Sequence, residues 1–505
     1  MIVPFSRRQF LRSTALGAAG LALGSRLRAQ SAKLPRKPNL LVFLPDQLRA
    51  DMIVGASAST VHAPNLHKLA SQAVIFERTY VTHPICAPSR SSLLSGTWPH
   101  VNGCTNNQSV LAKKFPCLPE LLADSDYRTG YFGKWHLGDE FSAQRGFEEW
   151  TSIEEFFKSA EGDGRIEGVS DYTKFLISKG YKPDAARGKS FSQSFISGLP
   201  VELRKPKFLE ARACQFLQNH RGDPFILFVA FFEPHPPYEG PFNKEHSLES
   251  VSLDASADDT FGEDMPLRYR LVQEVCRKRL HTIEQYRETK QKYLGLIYEI
   301  DRSIGTILSK LDDLGLTNQT ITVLTSDHGD MMSGHGLLGK RMMFEPSARV
   351  PYLVRMPEQQ RPLRYTQPLS HIDFAPTMLE LLGKTPLAQL AGQSRTNCIR
   401  GGGPPSEFVF IEWAPGKEKK TAERSKLASK EQIKECLLES TRAVVSPDGW
   451  KLCLRDKDKN ELYNLRNDPD ERHNLYYGQG QRELIDRLTH EIHLWQQRVG
   501  DTVKV

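Results

Sequence analysis

One cysteine, Cys86, lies in "THPICAPSRSSLLSG", residues 82–96, where a proline-broken polar turn runs into a short helical stretch. A structural cysteine usually sits among apolar residues. Here Pro88 suits the first turn of a helix, and Ser89 and Arg90 suit solvent or an anion. A helix that ends at Gly96 places Cys86 at its positive end, with Arg90 on the same face. Such a position can activate a side chain or hold an anion; the alternative is a capping turn with an incidental thiol. Elsewhere, Asp46 and Gln47, and Asp327 and His328, form two pairs of oxygen and nitrogen donors. Two carboxylates and an amide favour a hard cation such as calcium or magnesium, and the imidazole leaves manganese or zinc open. Arg90, Lys134, His136, His235 and Lys340 add cations and proton carriers. A metal beside such groups suits an oxyanion ester, a phosphate or a sulfate.

The elements that must position these residues are short apolar runs separated by helical stretches, the alternation of an α/β fold around a mainly parallel sheet. "NLLVFLPDQ" is a buried strand ending at Asp46 and Gln47. "RTGYFGKWHLG" leads into Lys134 and His136, "PFILFVAFFEPHPPY" into His235, and "TITVLTSDHGD" into Asp327 and His328. In open α/β sheets the ligand crevice lies at the carboxyl ends of the strands, so these scattered residues can meet. Each pair alone reads as turn chemistry. "HAPNLHKLASQAV" and "ETKQKYLGLIYEIDRSIGTILSKLDDLG" have helical apolar spacing, the second with Gly315 as a C-cap.

The chain has 505 residues, 39% hydrophobic and 25% charged, an ordinary globular composition with room for several domains. Its net charge is +7, but residues 1–30 hold five arginines and no acid, and without them +2 remains. No long basic run or basic–aromatic stripe follows, which argues against nucleic acid. "SRRQFLRS" followed by "TALGAAGLALG" reads as a twin-arginine signal segment over residues 1–30. It is too short to span a bilayer, and no membrane span is expected in the mature chain. The expected location is periplasmic or secreted. The eight cysteines show no CxxC or zinc spacing, and Cys104–Cys117 is a candidate disulfide in an oxidising compartment.

Together these residues resemble the type I sulfatases of the alkaline-phosphatase superfamily. "CAPSRSSLLSG" is similar to the family signature C-x-P-S-R and its helix. "GKWHLG", "PHPPY", "SDHGD" and "LYNLRNDPDERHNL" resemble the later motifs in the family's order, from about residue 36 to 476. The resemblance implies that Cys86 is oxidised to formylglycine (3-oxoalanine) by a cytoplasmic formylglycine-generating enzyme. One hydroxyl of its hydrate attacks sulfur, and the other expels sulfate. It further implies that Asp46, Gln47, Asp327 and His328, with the modified Cys86, hold one metal ion. Calcium is the usual ion, with magnesium or manganese as alternatives. Arg90 and Lys134 would position the formylglycine, His136 would take its proton, and His235 and Lys340 would bind sulfate and assist the leaving oxygen. Gln47 and His328 stand where many members carry Asp and Asn, and His67 replaces an aspartate common in its helix.

The implied architecture is a large α/β/α sandwich of alkaline-phosphatase-like type over residues 36–400. A Gly/Pro-rich linker, "RGGGPPSE", leads to a smaller α+β domain over 405–505, with short strands and a final helix "RELIDRLTHEIHLWQQRV". The polar stretches 155–205 and 240–290 read as binding loops or lids. The expected activity is release of sulfate from a sulfated small molecule or oligosaccharide, with a sulfated sugar as the default. Phosphodiester or phosphonate monoester hydrolysis is the alternative within the superfamily. A cysteine peptidase using Cys86 with His136 or His235, and a glycan-holding scaffold without turnover, are readings from other classes. The proline flanks and metal-like acids argue against the peptidase.

Overall fold

The computed structural model describes residues 37–155, 168–184, 189–415 and 425–505. The arginine-rich segment 1–30 lies outside the described residues, as do parts of the polar stretch 155–205. Among the described residues, nine strands form the main sheet. They are β1 (Asn39–Phe43), β2 (Val74–Tyr80), β3 (Arg128–Gly133), β4 (Glu149–Thr151), β5 (Phe225–Ala230), β6 (Thr320–Thr325), β7 (Arg349–Val350), β8 (Tyr352–Arg355) and β9 (Leu363–Ser370). Their order is β4-β3-β5-β1-β6-β8-β2-β7, with β9 also paired to β2. The run from β4 to β6 is parallel throughout. Antiparallel pairing begins where β8 joins β6 and β2.

Both faces of the sheet are apolar, as parallel strands require. Leu41 and Phe43 of β1 point to one layer with Leu227, Val229 and Leu324. Leu40 and Val42 point to the other with Ile226, Phe228 and Val323. This alternation follows from the two-residue period of a strand. Helices Lys205–Asn219 and Ile283–Asp313 cover the first face through Leu209, Phe216, Ile297 and Ile304. Helices Cys86–Ser95 and Phe374–Leu381 cover the second through Leu93, Leu94, Phe374 and Met378. The expected α/β/α sandwich is therefore present. The long helix begins with a reciprocal cap: Gln285 N–H donates to Thr282 Oγ1 at 3.3 Å and Thr282 N–H to Gln285 Oε1 at 3.2 Å. It ends at Asp313, two residues before Gly315, whose φ of 69° turns the chain out of the helix.

A second sheet follows: β10 (Val409–Trp413), β11 (Thr441–Val445), β12 (Trp450–Arg455) and β13 (Glu461–Asn464), antiparallel in that order. One face packs on the final helix, Arg482–Val499, through Leu488, Ile492 and Trp495. The other packs Val409, Ile411, Ala443 and Cys453 against Tyr80, Ile85, Met343 and Ala348.

One expectation gains detail and one is corrected. The stretches 155–205 and 240–290 carry helices at Asp171–Ser178, Gln193–Ser197 and Leu267–Arg279. Ser170 and Ser192 cap the first two by accepting from Thr173 and Phe195 N–H. Cys104 and Cys117 are separate buried thiols. Each is held among apolar neighbours; Cys117 also caps the helix Leu118–Leu122.

The two sheets meet over a buried ion cluster. Lys451 of β12 is fully buried, with Nζ 3.0 Å from Glu345 Oε1 and 2.8 Å from Glu471 Oε1. Tyr80 of β2 donates to the other Glu345 oxygen at 3.1 Å. Removing one partner of a buried cluster strands the remaining charges, at about 3–5 kcal/mol. Lys451→Met is expected to lower unfolding free energy by about that amount, measured by denaturant titration; a loss indistinguishable from zero would show that the two glutamates do not need the lysine.

Candidate active site

The site lies where four adjacent parallel strands end. After β1, Leu44 and Asp46 N–H donate to the Val229 and Phe231 carbonyls at 3.0 and 3.1 Å, so Asp46 is fixed beside the β5 exit. Gln47 has φ 71°, a left-handed backbone rare for a side-chain-bearing residue. It is held there by its N–H on Asp327 Oδ1 at 3.0 Å and by Tyr293, whose hydroxyl donates to its carbonyl at 2.8 Å. Ser326, just past β6, accepts from Leu48 N–H at 2.9 Å and ties the two exits together.

Cys86 is the first residue of helix Cys86–Ser95, which closes at Gly96 in the left-handed conformation, φ 65°. The expected helix and its stop coincide with the observed one. Ser89 and Arg90, read as facing solvent or an anion, are fully buried. Arg90 Nε lies 2.8 Å from Asp327 Oδ2, and its Nη2 3.3 Å from Asp46 Oδ2. Its Nη1 donates to the Lys134 carbonyl at 2.6 Å.

Donor atoms of Asp46, Cys86, Asp327 and His328 lie within 4.8 Å of one another, all buried. Cys86 Sγ is 3.2 Å from His328 Nε2 and 2.9 Å from Lys340 Nζ. Lys134 Nζ is 2.9 Å from Asp46 Oδ2. Asp46 Oδ1 and Gln47 Oε1 are buried with no hydrogen-bond partner among the described residues. Two orphaned oxygens beside two further donors fit a divalent cation with mixed oxygen and nitrogen ligands.

The electrostatics favour anions. Burial works to raise the Asp46 pKa, but Lys134, Lys340, His235 and His328 outweigh it and hold the carboxyl well below the usual carboxylate range. Burial and Asp46 oppose ionisation of the Cys86 thiol, yet Lys340, Lys134 and His328 pull its pKa well down. Burial first, then Lys340 and Lys134, push the His235 pKa well below that of free imidazole.

His235 follows the β5 exit; its Nδ1 is 2.8 Å from the Pro236 carbonyl and its ring packs on Phe232, 4.7 Å between centroids. Lys134 Nζ lies over the same Phe232 ring at 5.1 Å. His136 stands two residues past Lys134, with φ 61°. Its N–H and that of Trp135 donate to the two oxygens of buried Glu140, at 2.6 and 3.0 Å. The structure thus brings Asp46, Gln47, Cys86, Arg90, Lys134, His235, Asp327, His328 and Lys340 to one place, with His136 on the same turn as Lys134.

Several residues escaped the sequence reading. Asn107 accepts from Ala87 N–H at 3.1 Å, and its Nδ2 lies 3.9 Å from Cys86 Sγ. Glu154 Oε2 is 3.7 Å from Lys134 Nζ. Glu140 shapes the His136 turn. Asn107 and Glu140 do not sit at a strand end, and Glu154 follows a strand of only three residues, Glu149–Thr151; "GDE" directly after "GKWHL" was the only local hint of Glu140.

Among known proteins, the sulfatase family model matches residues 38–384. The N-acetylglucosamine-6-O-sulfatase of Bacteroides thetaiotaomicron is 23% identical, the alignment covering 94% of this chain and 89% of that protein. The phosphonate monoester hydrolase from Silicibacter pomeroyi shares the fold with a TM-score of 0.74 at 21% identity, over 92% of this chain and 96% of its own. BT4656, solved with its substrate D-glucosamine-2-N,6-O-disulfate, gives 0.68 at 19% identity, over 92% and 99%. The family match runs from the first strand of the sheet, just ahead of Asp46, through Cys86 and Asp327 to beyond Lys340, so the residues that converge here all lie within it, and the chain belongs to the sulfatase family.

Proposed function

We propose that this sulfatase releases sulfate from a sulfated carbohydrate, using formylglycine made from Cys86 and one divalent cation, calcium being the ion the family resemblance implies. The observation that carries the reading is the buried convergence of Asp46, Cys86, Asp327 and His328 under Lys134 and Lys340. The carbohydrate is supported by relatives: an N-acetylglucosamine-6-O-sulfatase, an ulvan-active sulfatase and a protein bound to a disulfated glucosamine. Asp46, Gln47, Asp327 and His328 hold the cation. Bound there, it supplies Lewis-acid polarisation of a sulfate oxygen and lowers the proton affinity of an oxygen nucleophile. Arg90 keeps the two carboxylates apart in fixed orientation. Lys134 and Lys340 face the oxygens of the ester, and His136 takes the proton when sulfate is expelled. His235 and Lys340 support the leaving oxygen.

Residues 405–505 act in this reading as a smaller domain edging the site, and Ala414 N–H already donates to His83, three residues before Cys86, at 3.2 Å. Residues 1–30 direct export by the twin-arginine route, with oxidation of Cys86 by a cytoplasmic enzyme preceding it. Among the described residues no helix is long and apolar enough to cross a membrane.

Three outcomes follow from the roles. Asp46→Ala or Asp327→Ala is expected to abolish bound cation by elemental analysis and to cost more than about 100-fold in kcat, the scale of losing one electrostatic partner of a transition state. Full activity in metal-free enzyme would end the metal assignment. His235→Ala and Lys340→Ala should slow alkyl sulfates by about 10²–10⁴-fold and nitrophenyl sulfate far less, because a nitrophenolate leaves without a proton. Equal losses on both would remove the leaving-group role. Mass spectrometry of the "ICAPSR" peptide from active enzyme should show formylglycine at Cys86, and a carbonyl reagent, but not a thiol alkylator, should inactivate. Activity residing in unmodified Cys86 would defeat the mechanism, and preference for an aryl phosphodiester or phosphonate over the sulfate would favour the alternative ester class.

A further inference from the structure

The Gln47 side chain poses a chemical problem. An amide has an oxygen and an NH₂ group that are nearly the same size, and only the oxygen can ligate a cation. Something must decide which end faces the donor cluster. On the far side of Gln47 lies Asp330, buried, 283 residues away in the chain. Its Oδ2 accepts from Gln47 Nε2 and, at 2.5 Å, from the Tyr238 hydroxyl. A carboxylate oxygen offers no proton, so the amide end that meets it is the NH₂, and Gln47 Oε1 is left facing away with no hydrogen-bond partner among the described residues. The other oxygen, Oδ1, accepts from Met332 and Gly339 N–H, both at 2.8 Å. Gly339 precedes Lys340, whose Nζ reaches Cys86. One carboxylate thus faces the amide of Gln47 on one side and the Lys340 loop on the other.

We propose that Asp330 is a positioning residue that fixes the orientation of the Gln47 amide and so presents its oxygen to the cation. The inference rests on the assignment of Gln47 as a ligand made above. Asp330→Asn separates the two functions of the carboxyl. The retained Oδ1 still accepts from Met332 and Gly339, so the Lys340 loop stays in place. The new Nδ2 meets Gln47 and Tyr238 with a donor, and the amide reverses, turning its NH₂ towards the cation. Groups behind a metal ligand typically contribute 10–100-fold to affinity, and Asp330→Asn is expected to lower affinity by about that factor.

The decisive comparison is a double-mutant cycle on the full chain, read by calorimetric titration of chelator-stripped protein with Ca2+ and, for the fold, by thermal unfolding. The carboxylate that Q47E introduces is an acceptor at both oxygens. It therefore conflicts with Asp330 but complements the amide that D330N introduces. Q47E should restore affinity in the D330N background without improving it where Asp330 is kept. An equal effect of Q47E in both backgrounds would reveal a plain charge effect and overturn the proposal, as would an unchanged affinity in folded D330N. Gln47→Ala separates this from the underlying reading: a Gln47→Ala protein that binds Ca2+ like the parent means that Gln47 is not a ligand at all. A weakened Gln47→Ala together with an unaffected D330N means that only the orienting role fails.

Discussion

Arg90 is a guanidinium without access to water, and the site is assembled around it. Two buried carboxylates, Asp46 and Asp327, share it; burial and then Asp46 push the Asp327 pKa up, and His328 and Arg90 pull against them. The same side chain bonds the carbonyl of Lys134 and reaches the Tyr131 hydroxyl at 3.4 Å. One residue on the Cys86 helix therefore fastens the ends of β1, β3 and β6. Burying such a charge is costly unless every donor finds an acceptor, so this packing admits little slack. That rigidity is useful where reacting groups must be held within fractions of an ångström.

The sheet order gives the constraint its reach. β3, β5, β1 and β6 are consecutive neighbours, and parallel strands lie about 4.8 Å apart. Lys134, His235, Asp46 and Asp327 thus emerge in a row, although as many as 281 residues separate Asp46 from Asp327. The helix carrying Cys86 comes from the β2 side and lies over the same end of the sheet. Positive backbone angles at Gln47 and His136 mark where chain direction yields to side-chain placement.

That geometry also explains what could be read from the chain. A strand exit leaves a local mark, an apolar run followed abruptly by an acid or a histidine, and the Cys86 helix carries its proline and its terminal Gly96. Asn107, Glu140 and Glu154 left no comparable mark, because their importance lies in what they touch across the fold. Asp330 closes the "SDHGD" motif, yet its link to Gln47 exists only once β1 and β6 are paired. The helices at Asp171–Ser178 and Gln193–Ser197 are too short for periodicity to reveal, and their serine caps become meaningful only with helix behind them. The Cys104–Cys117 pairing failed for another reason: spacing and compartment cannot say whether two thiols face each other across an apolar layer.

Charge balance then connects the site to its substrate. Arg90, Lys134 and Lys340 face Asp46 and Asp327, and a divalent cation would add further positive charge. What completes the balance is the negative charge of the ester oxygens and of the attacking oxygen, which is greatest in the transition state. His235 is part of the same account. Burial and the two lysines keep it neutral in the free site. In the role proposed for it, a bound sulfate would offset those lysines and raise the proton affinity of the imidazole, so that it takes a proton from solvent and can pass it to the leaving oxygen. In that role, His235 is armed by the arrival of the anion whose bond it helps to break.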